Sequence, residues 1–563
     1  MSLTYGEATA AVLGSGSLLE VGEAEVFGRT TRVFKHAPAN LGQVFAMSKG
    51  HGDATFLVFE GERWSFADTM RSVDALGHAL VHQLGVRKGD RVAIAMRNYP
   101  EWVMSFAAIL SIGAISVSLN SLWTEDELAY AIGDSTPKVL IGDADRIARC
   151  RAACAAHDTA MVSVRCEPIP GTNSWADLVI PGNPLPVVEV DTDDDATILY
   201  TSGTTGRPKG AVSTHRAVIS AIMAFGARSA IEALRYPATA SATPPTDPNA
   251  PVPQQSFILI VPLFHVTGCV PVMLSCFVAG MKLVIMYKWD VDKALELIES
   301  EHITNFVGVP TQSWDLVNSP RFHEFDTSSL KTIGGGGAPA PPALVAKVAG
   351  SFRNGAPNLG YGMTETNAFG PGNQGPDYIN HPTSTGRLLD VVQIEVRDPD
   401  AMPLPTGQLG EIWFKGPNLI RGYWGQPDAT AETIVDGWLR TGDLGRVDAE
   451  GFVYIEDRVK DMILRGGENV YGAEVEAAIY EHPAIHEAAV YGVPDERLGE
   501  EVGVTIHLNA GAQLTAEELQ GFLKPKIAAF KIPRYVLFSV EPLPRNAAGK
   551  FLKRELRDQA VKR

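Results

Sequence analysis

The chain has 563 residues, 45% hydrophobic and 20% charged, with a formal net charge of -17. That length exceeds one ordinary hydrophobic core, so two or more domains are expected, and the composition is that of a soluble globular protein. An acidic chain without a basic stripe argues against a nucleic-acid partner and against simple electrostatic docking on anionic membranes.

Short β-branched runs alternate with helical patterns over the first two-thirds of the sequence. Arg91–Met96 reads as a strand. Residues 102–124 carry no formal charge and imitate a membrane span, but Gly113 and several serines interrupt them. They read better as a buried helix, Glu101–Ser111, then a turn and a strand, Ala114–Leu119. Lys138–Ile141 is a strand. The apolar run Thr197–Tyr200 feeds a loop of glycines, hydroxyls and lysine, Thr201-Ser202-Gly203-Thr204-Thr205-Gly206-Arg207-Pro208-Lys209-Gly210. Such a loop suits a polyphosphate, because glycines admit close backbone N–H groups while the hydroxyls and the lysine add donors and charge. It is not a Walker A loop, since no Gly-Lys-Ser/Thr closes it. Read alone, its alternative is a polar surface turn between a strand and a helix. Residues 237–255 are rich in Pro, Ala, Thr and Ser and read as a flexible surface loop, with a flap over an active site as the alternative.

Residues 256–280 are also uncharged, but Pro262, His265, Gly268 and Pro271 divide them into strand, loop and helix. Phe257–Val261, Lys282–Met286 and Asn305–Val309 are strands. Asp290 begins the helical stretch Val291–His302, in which Val291, Ala294, Leu295 and Ile298 recur at three- and four-residue spacing. This alternation argues for βαβ units and largely parallel sheets. The texture then changes: Gln393–Arg397, Glu411–Lys415 and Gly451–Ile455 are strands separated by Gly/Pro turns, which describes a β-rich subdomain over 383–459. The last hundred or so residues form an α+β unit. Ala473–Tyr480 is helical, Glu487–Tyr491 and Val502–His507 are strands, and Thr515-Ala516-Glu517-Glu518 is a capping box.

The five cysteines, Cys150, Cys154, Cys166, Cys269 and Cys276, have no matched histidines, so reduced thiols are expected rather than zinc. No secretory pattern opens the sequence and no peroxisomal or lipidation signal closes it, so a cytoplasmic location is expected.

Four further motifs follow the Gly/hydroxyl loop in order. They are Pro262-Leu263-Phe264-His265; Gly360-Tyr361-Gly362-Met363-Thr364-Glu365; Trp438-Leu439-Arg440-Thr441-Gly442-Asp443 with Asp457-Arg458-Val459-Lys460-Asp461; and Pro544-Arg545-Asn546-Ala547-Ala548-Gly549-Lys550. The set resembles the adenylate-forming superfamily, in particular its acyl- and aryl-CoA synthetases, over nearly the whole chain. The resemblance implies an α/β fold. A large N-terminal domain (1–459) would hold two βα-type sheets and the β-rich subdomain, and a small mobile α+β C-terminal domain (460–563) would be joined at a hinge, Lys460.

It also implies the parts of the site. The cosubstrates would be ATP and CoA, with Mg²⁺. Thr201, Ser202, Gly203, Thr204, Thr205 and Gly206 would hold the β- and γ-phosphates; Lys209 would assist or stay solvated. Thr364 would bond the α-phosphate and Glu365 would ligate Mg²⁺, for which a single carboxylate suffices beside phosphate oxygens. Tyr361 would stack on adenine between Gly360 and Gly362, beside Met363. The run ending in Gly337, Ala338 and Pro339 resembles the opposite wall. Asp443 and Arg458 would contact the ribose. Lys550 would bridge the substrate carboxylate and the α-phosphate in the transition state. Asn546 and Ala547 stand where family members more often carry Thr or Ser. After adenylation, rotation at Lys460 would bring Arg465-Gly466-Gly467-Glu468 to the site, where Gly466 and Gly467 leave a path for a thiol arm.

Peptide-synthetase domains place an aspartate just after the Phe264 position to hold an amino group. His265 stands there instead, which argues against an amino-acid substrate. His265 resembles the gate of acyl- and aryl-CoA ligases, and Thr267, Pro271, Gly335, Ala368 and Phe369 would line the acid pocket with it. Their apolar character suits a hydrophobic acid: alkyl, aryl-propenoate or ring-bearing. Loading of a carrier-protein pantetheine is the alternative to free CoA. A non-catalytic nucleotide-binding homologue is the alternative to an enzyme, and a luciferase-like reading lacks an identifiable oxygenation pocket. The partners expected are the acid, ATP and CoA, without a transmembrane segment; a homodimer is left open.

Overall fold

The structure is a computed structural model. It describes all residues except 1–2, 202–206, 238–252, 338–339, 341, 460, 467, 546–549 and 563. The expected alternation of strands and helices builds two eight-stranded sheets. The first runs, in spatial order, Gly422–Tyr423, Lys209–Thr214, Asp195–Thr201, Ile115–Ser118, Arg91–Ala95, Val139–Asp143, Ala160–Val164 and Asn173–Ser174. The second runs Gly372–Gln374, Ala356–Gly360, Thr332–Gly336, Asn305–Gly308, Ser256–Leu259, Lys282–Ile285, Thr55–Phe59 and Glu62–Ser65. Their central pairs are parallel; antiparallel pairs close both edges of the second sheet and one edge of the first, whose Asn173–Ser174 edge stays parallel. Helix Pro100–Ser111 is buried along its whole length, which explains the lack of charge after Glu101, itself paired with Arg165 at 2.7 Å. The Val291–Ser300 helix starts where expected, with the Asp290 carboxylate accepting from the Lys293 N–H at 2.9 Å.

Two local readings are corrected. The Gly/hydroxyl loop leads into a strand, not a helix: Thr201 pairs antiparallel with Lys209, so a β-hairpin brackets residues 202–206. Pro271, read as one of the breaks within residues 256–280, does not interrupt the chain there: it sits inside the π-helical turn Gly268–Leu274, whose wider hydrogen-bond pattern tolerates the N–H that proline lacks. Of the Pro-rich stretch, residues 238–252 lie outside the described residues. One helix among the described residues, His215–Arg235, is long and apolar enough to cross a membrane, and it packs against Tyr5–Leu13 and the Gly268–Leu274 turn.

Residues 393–458 form a five-stranded antiparallel sheet, except that Gly422–Tyr423 leaves it to extend the first large sheet beside Lys209–Thr214. The terminal region has its own five-stranded sheet and its own core, including Ile463, Val475, Ile479, Val490, Val504 and Leu523. The Thr515 capping box forms as read, with Thr515 Oγ1 accepting from the Glu518 N–H.

Candidate active site

The second large sheet delivers two glycine-rich strand ends side by side, since Gly336 pairs with Gly360. A Cβ at Gly360 would point into open space, whereas one at Gly362 would lie 2.2 Å from the Ala368 carbonyl oxygen. Gly362 is thus required by the fold, and Gly360 leaves room for a ligand. The chain then makes a 3-10 turn, Thr364–Thr366, and continues through Asn367 and Ala368 at φ of 51° and 64°. Non-glycine residues rarely adopt such angles. The turn is held by Asn367, whose amide donates to the Asn418 carbonyl at 3.0 Å and whose Oδ1 accepts from the Ser213 hydroxyl at 3.0 Å.

Strands from two other sheets converge on this turn. Tyr423, opposite Ala211 in the first sheet, donates its hydroxyl to Glu365 Oε1 at 2.8 Å. Lys209 Nζ lies 5.1 Å from the centre of the Tyr423 ring. On the other side Asp443 and Arg458 are register partners in adjacent strands, with Arg458 Nε 3.4 Å from Asp443 Oδ1. The Tyr361 hydroxyl donates to Asp443 Oδ2. Burial and the adjoining Asp443 charge push the Tyr361 phenol well above its usual range. Each of the two buried carboxylates expected to meet nucleotide or metal is therefore held by one tyrosine hydroxyl. Tyr361 was expected as an adenine platform, and its bond to Asp443 also fixes the ring. Tyr423 was not foreseen: it comes from a segment whose place beside Glu365 depends on a sheet pairing between residues far apart in sequence.

Lys550 is half-buried among these groups. Burial and then the Arg458 charge depress its ammonium to about 8, against the opposing pull of Asp443, Glu365 and Asp461. His265 faces the same ammonium: burial first, then Lys550, lowers its imidazole to about 4, so it is neutral at physiological pH. The Thr267 N–H approaches His265 Nδ1 at 3.3 Å, which leaves the ring proton on Nε2. Burial also raises the Glu365 carboxyl, while the Tyr423 hydrogen bond pulls it back down. The sequence-read residues Lys550, His265, Glu365, Asp443 and Arg458 thus share one electrostatic neighbourhood, and Tyr361 and Thr364 belong to the segments that frame it.

A cavity of about 260 Å³ opens beside His265, with Phe264, Thr267, Trp289, Gly336 and Gly337 among its walls. The expected acid-pocket residues divide here. His265 and Thr267 line this cavity, while Pro271, Gly335, Ala368 and Phe369 are not among its walls. Phe369 is fully buried behind the turn, packed edge-on against Phe225 at 5.1 Å with the Arg228 guanidinium 4.6 Å from its ring centre. Gly466 is not at the cluster; its N–H donates to the Leu498 carbonyl within the terminal sheet region. Ser202, Gly203, Thr204, Thr205, Gly206, Ala338, Pro339, Lys460 and Gly467 lie outside the described residues.

Comparison with known proteins agrees with this architecture. Residues 44–424 match the AMP-binding enzyme family and residues 474–550 match the AMP-binding enzyme C-terminal domain. A feruloyl-CoA synthase of an Amycolatopsis species is 34% identical over 90% of this chain and 95% of its own length. A long-chain-fatty-acid–CoA ligase of Mycobacterium tuberculosis is 34% identical over 84% of this chain and 89% of its own. The ATP-bound structure of MatB from Rhodopseudomonas palustris superposes with a TM-score of 0.80 at 30% identity, covering 93% of this chain and 99% of that one. The chain belongs to the AMP-binding enzyme family, in the acyl-CoA synthetase branch of the adenylate-forming superfamily, and is an AMP-forming acid–thiol ligase.

Proposed function

We propose that this AMP-binding enzyme joins a hydrophobic carboxylic acid to free CoA in two half-reactions at the cluster around Lys550. In the first, a carboxylate oxygen attacks the α-phosphorus of ATP, the bond to the β-phosphate oxygen breaks, and pyrophosphate leaves an acyl-AMP. In the second, the CoA sulfur attacks the acyl carbon, the acyl–phosphate bond breaks and AMP leaves, the thiol proton passing to solvent. The observation that carries this reading is the gathering of Lys550, Arg458, Asp443, Glu365 and His265 from segments up to 285 residues apart, counted from His265 to Lys550.

The roles follow from charge and geometry. Two anions must meet in the first step, and the Lys550 ammonium lowers the cost by lying between them. The Asp443 carboxylate accepts hydroxyl protons from the ribose, and Arg458 fixes its orientation. Thr364 bonds the α-phosphate, and residues 201–206 hold the outer phosphates. Among the described residues no group of three or more His, Cys, Asp or Glu side chains could hold a metal by itself. The single buried Glu365 carboxylate fits an ion that completes its shell with phosphate oxygens, as Mg²⁺ does. Bound there, Mg²⁺ would neutralise charge on the departing pyrophosphate. His265, neutral and carrying its proton on Nε2, serves as a hydrogen-bond donor and wall at the mouth of the cavity, not as a ready base.

The second half-reaction follows rotation of 460–563 about Lys460, which withdraws Lys550 and presents Arg465–Glu468 to the thiol. The apolar cavity walls Ile260, Phe264, Trp289 and Val309 support a hydrophobic acid, and the cytoplasm supplies both ATP and CoA. The test is CoA consumption by the purified protein with ATP, Mg²⁺ and a panel of acids: decanoate, palmitate, ferulate, a ring-bearing propanoate and malonate. Turnover with one or more of the first four and none with malonate supports the reading; turnover with malonate alone overturns the hydrophobic-acid assignment.

A further inference from the structure

Asp457 lies one residue before Arg458 and three before the proposed hinge, near the end of the Val453–Arg458 strand. It is 9% exposed, and its one bond to a cluster residue is to the Arg458 backbone rather than to a side chain. Its contacts run in another direction. Oδ1 accepts from the Arg458 N–H at 2.7 Å, and Oδ2 accepts from the N–H of Gly472, the first residue of the Gly472–Tyr480 helix. Lys553, the first residue of the Lys553–Val561 helix, places its Nζ 2.8 Å from Glu476 Oε1 on that same helix. Glu476 Oε1 also accepts from the Val490 N–H at 2.8 Å. The Asp457 carboxylate and the Lys553 ammonium flank one point: a Cβ at Gly472 would lie 3.5 Å from Asp457 Oδ2 and 3.3 Å from Lys553 Nζ. Burial raises the Asp457 carboxyl, and the Lys553 charge is the foremost influence opposing that rise.

The positions along the chain give this network its meaning. Asp457 is on the strand that precedes the 460 region, whereas Gly472, Glu476, Val490 and Lys553 all follow it. Lys553 is three residues from Lys550. We propose that Asp457 is a positioning residue for adenylation: it clamps the start of the Gly472–Tyr480 helix and, through the charge of Lys553, the segment that carries Lys550. Glu476 and Lys553 move with the terminal domain, so their pair survives rotation. Asp457 stays on its strand and its contacts across the 460 region part. The clamp therefore favours the arrangement with Lys550 at the cluster and opposes the arrangement used for thioester formation.

This inference rests on the two-step reading above. The test uses the full-length enzyme and the acid that gives the fastest acid-dependent ATP–pyrophosphate exchange in the wild type. Asp457→Asn preserves size and removes the charge. Exchange should fall by about tenfold, the scale of one lost charge-assisted hydrogen bond. Transfer from chemically synthesised acyl-AMP to CoA should stay at the wild-type rate or rise. Lys553→Arg should retain exchange, and Lys553→Met should reproduce the Asp457→Asn split. Equal loss in both half-reactions, or no loss in either, for Asp457→Asn and Lys553→Met overturns the clamp. A wild-type enzyme without exchange for any acid overturns the two-step reading instead, so the two failures are distinct.

Discussion

The Lys550 ammonium should impose an alkaline limit on adenylation. A solvated lysine loses its proton near 10.4, well above assay pH. Here burial and the Arg458 charge bring Lys550 down to about 8, even with Asp443, Glu365 and Asp461 pulling the other way. The protonated form is the one that bridges two anions, so the active fraction is high below about pH 7 and declines as pH rises through the depressed value. In the free enzyme that means half the lysine is charged near pH 8, and kcat/KM for adenylation falls about tenfold per further pH unit. Bound ATP and acid carry negative charge and raise the lysine pKa, so the kcat profile should break at higher pH than kcat/KM. The assay is acid-dependent ATP–pyrophosphate exchange from about pH 6 to about pH 10. Lys550→Arg, whose guanidinium stays charged, should lower the rate and abolish the alkaline limb. A limb that survives in Lys550→Arg, or a wild-type profile that stays flat to about pH 10, refutes the assignment of this limb to Lys550.

Other outcomes follow from the same geometry. Lys550→Ala should slow adenylation by about 10²–10³, the scale of one removed electrostatic donor, and spare CoA transfer from supplied acyl-AMP. Asp443→Ala should weaken ATP binding by about 1–3 kcal/mol without a comparable change in acid affinity, as calorimetry would register, because a buried ribose contact is lost. Tyr423→Phe removes the hydroxyl that holds Glu365 at 2.8 Å. The Mg²⁺ dependence of ATP binding, followed by calorimetry, should shift to higher Mg²⁺ concentration, and an unchanged titration would make Tyr423 a packing residue only.

The parts of this fold legible in the sequence are those set by local periodicity and capping. The Asp290-capped helix, the Thr515 capping box and the strand Gln393–Arg397 depend on neighbours within a few residues. The motif residues were legible through resemblance, and the structure brings Lys550, His265, Asp443 and Arg458 into one electrostatic neighbourhood. What was not legible depends on pairing at long range. Tyr423 reaches Glu365 only because Gly422–Tyr423 leaves its own subdomain to pair with Ala211–Val212. The Gly472 N–H meets Asp457 across the 460 region, which no local pattern announces. Phe369 was grouped with His265 as one pocket, yet only His265 borders the cavity, because the Asn367–Ala368 turn carries Phe369 back into the core. The proline at 271 was read by its usual effect on an α-helix, and the π-helical turn that accommodates it has no sequence signature of its own.

The most direct test of the two-step account is a single-turnover experiment run in order. Enzyme, ATP, Mg²⁺ and a productive acid are mixed without CoA, bound products are quantified, and CoA is then added. The account predicts pyrophosphate release and enzyme-bound acyl-AMP before CoA arrives, then stoichiometric conversion to acyl-CoA and AMP. Release of ADP and phosphate, or thioester formation from an acid that yields no acyl-AMP without CoA, would contradict it.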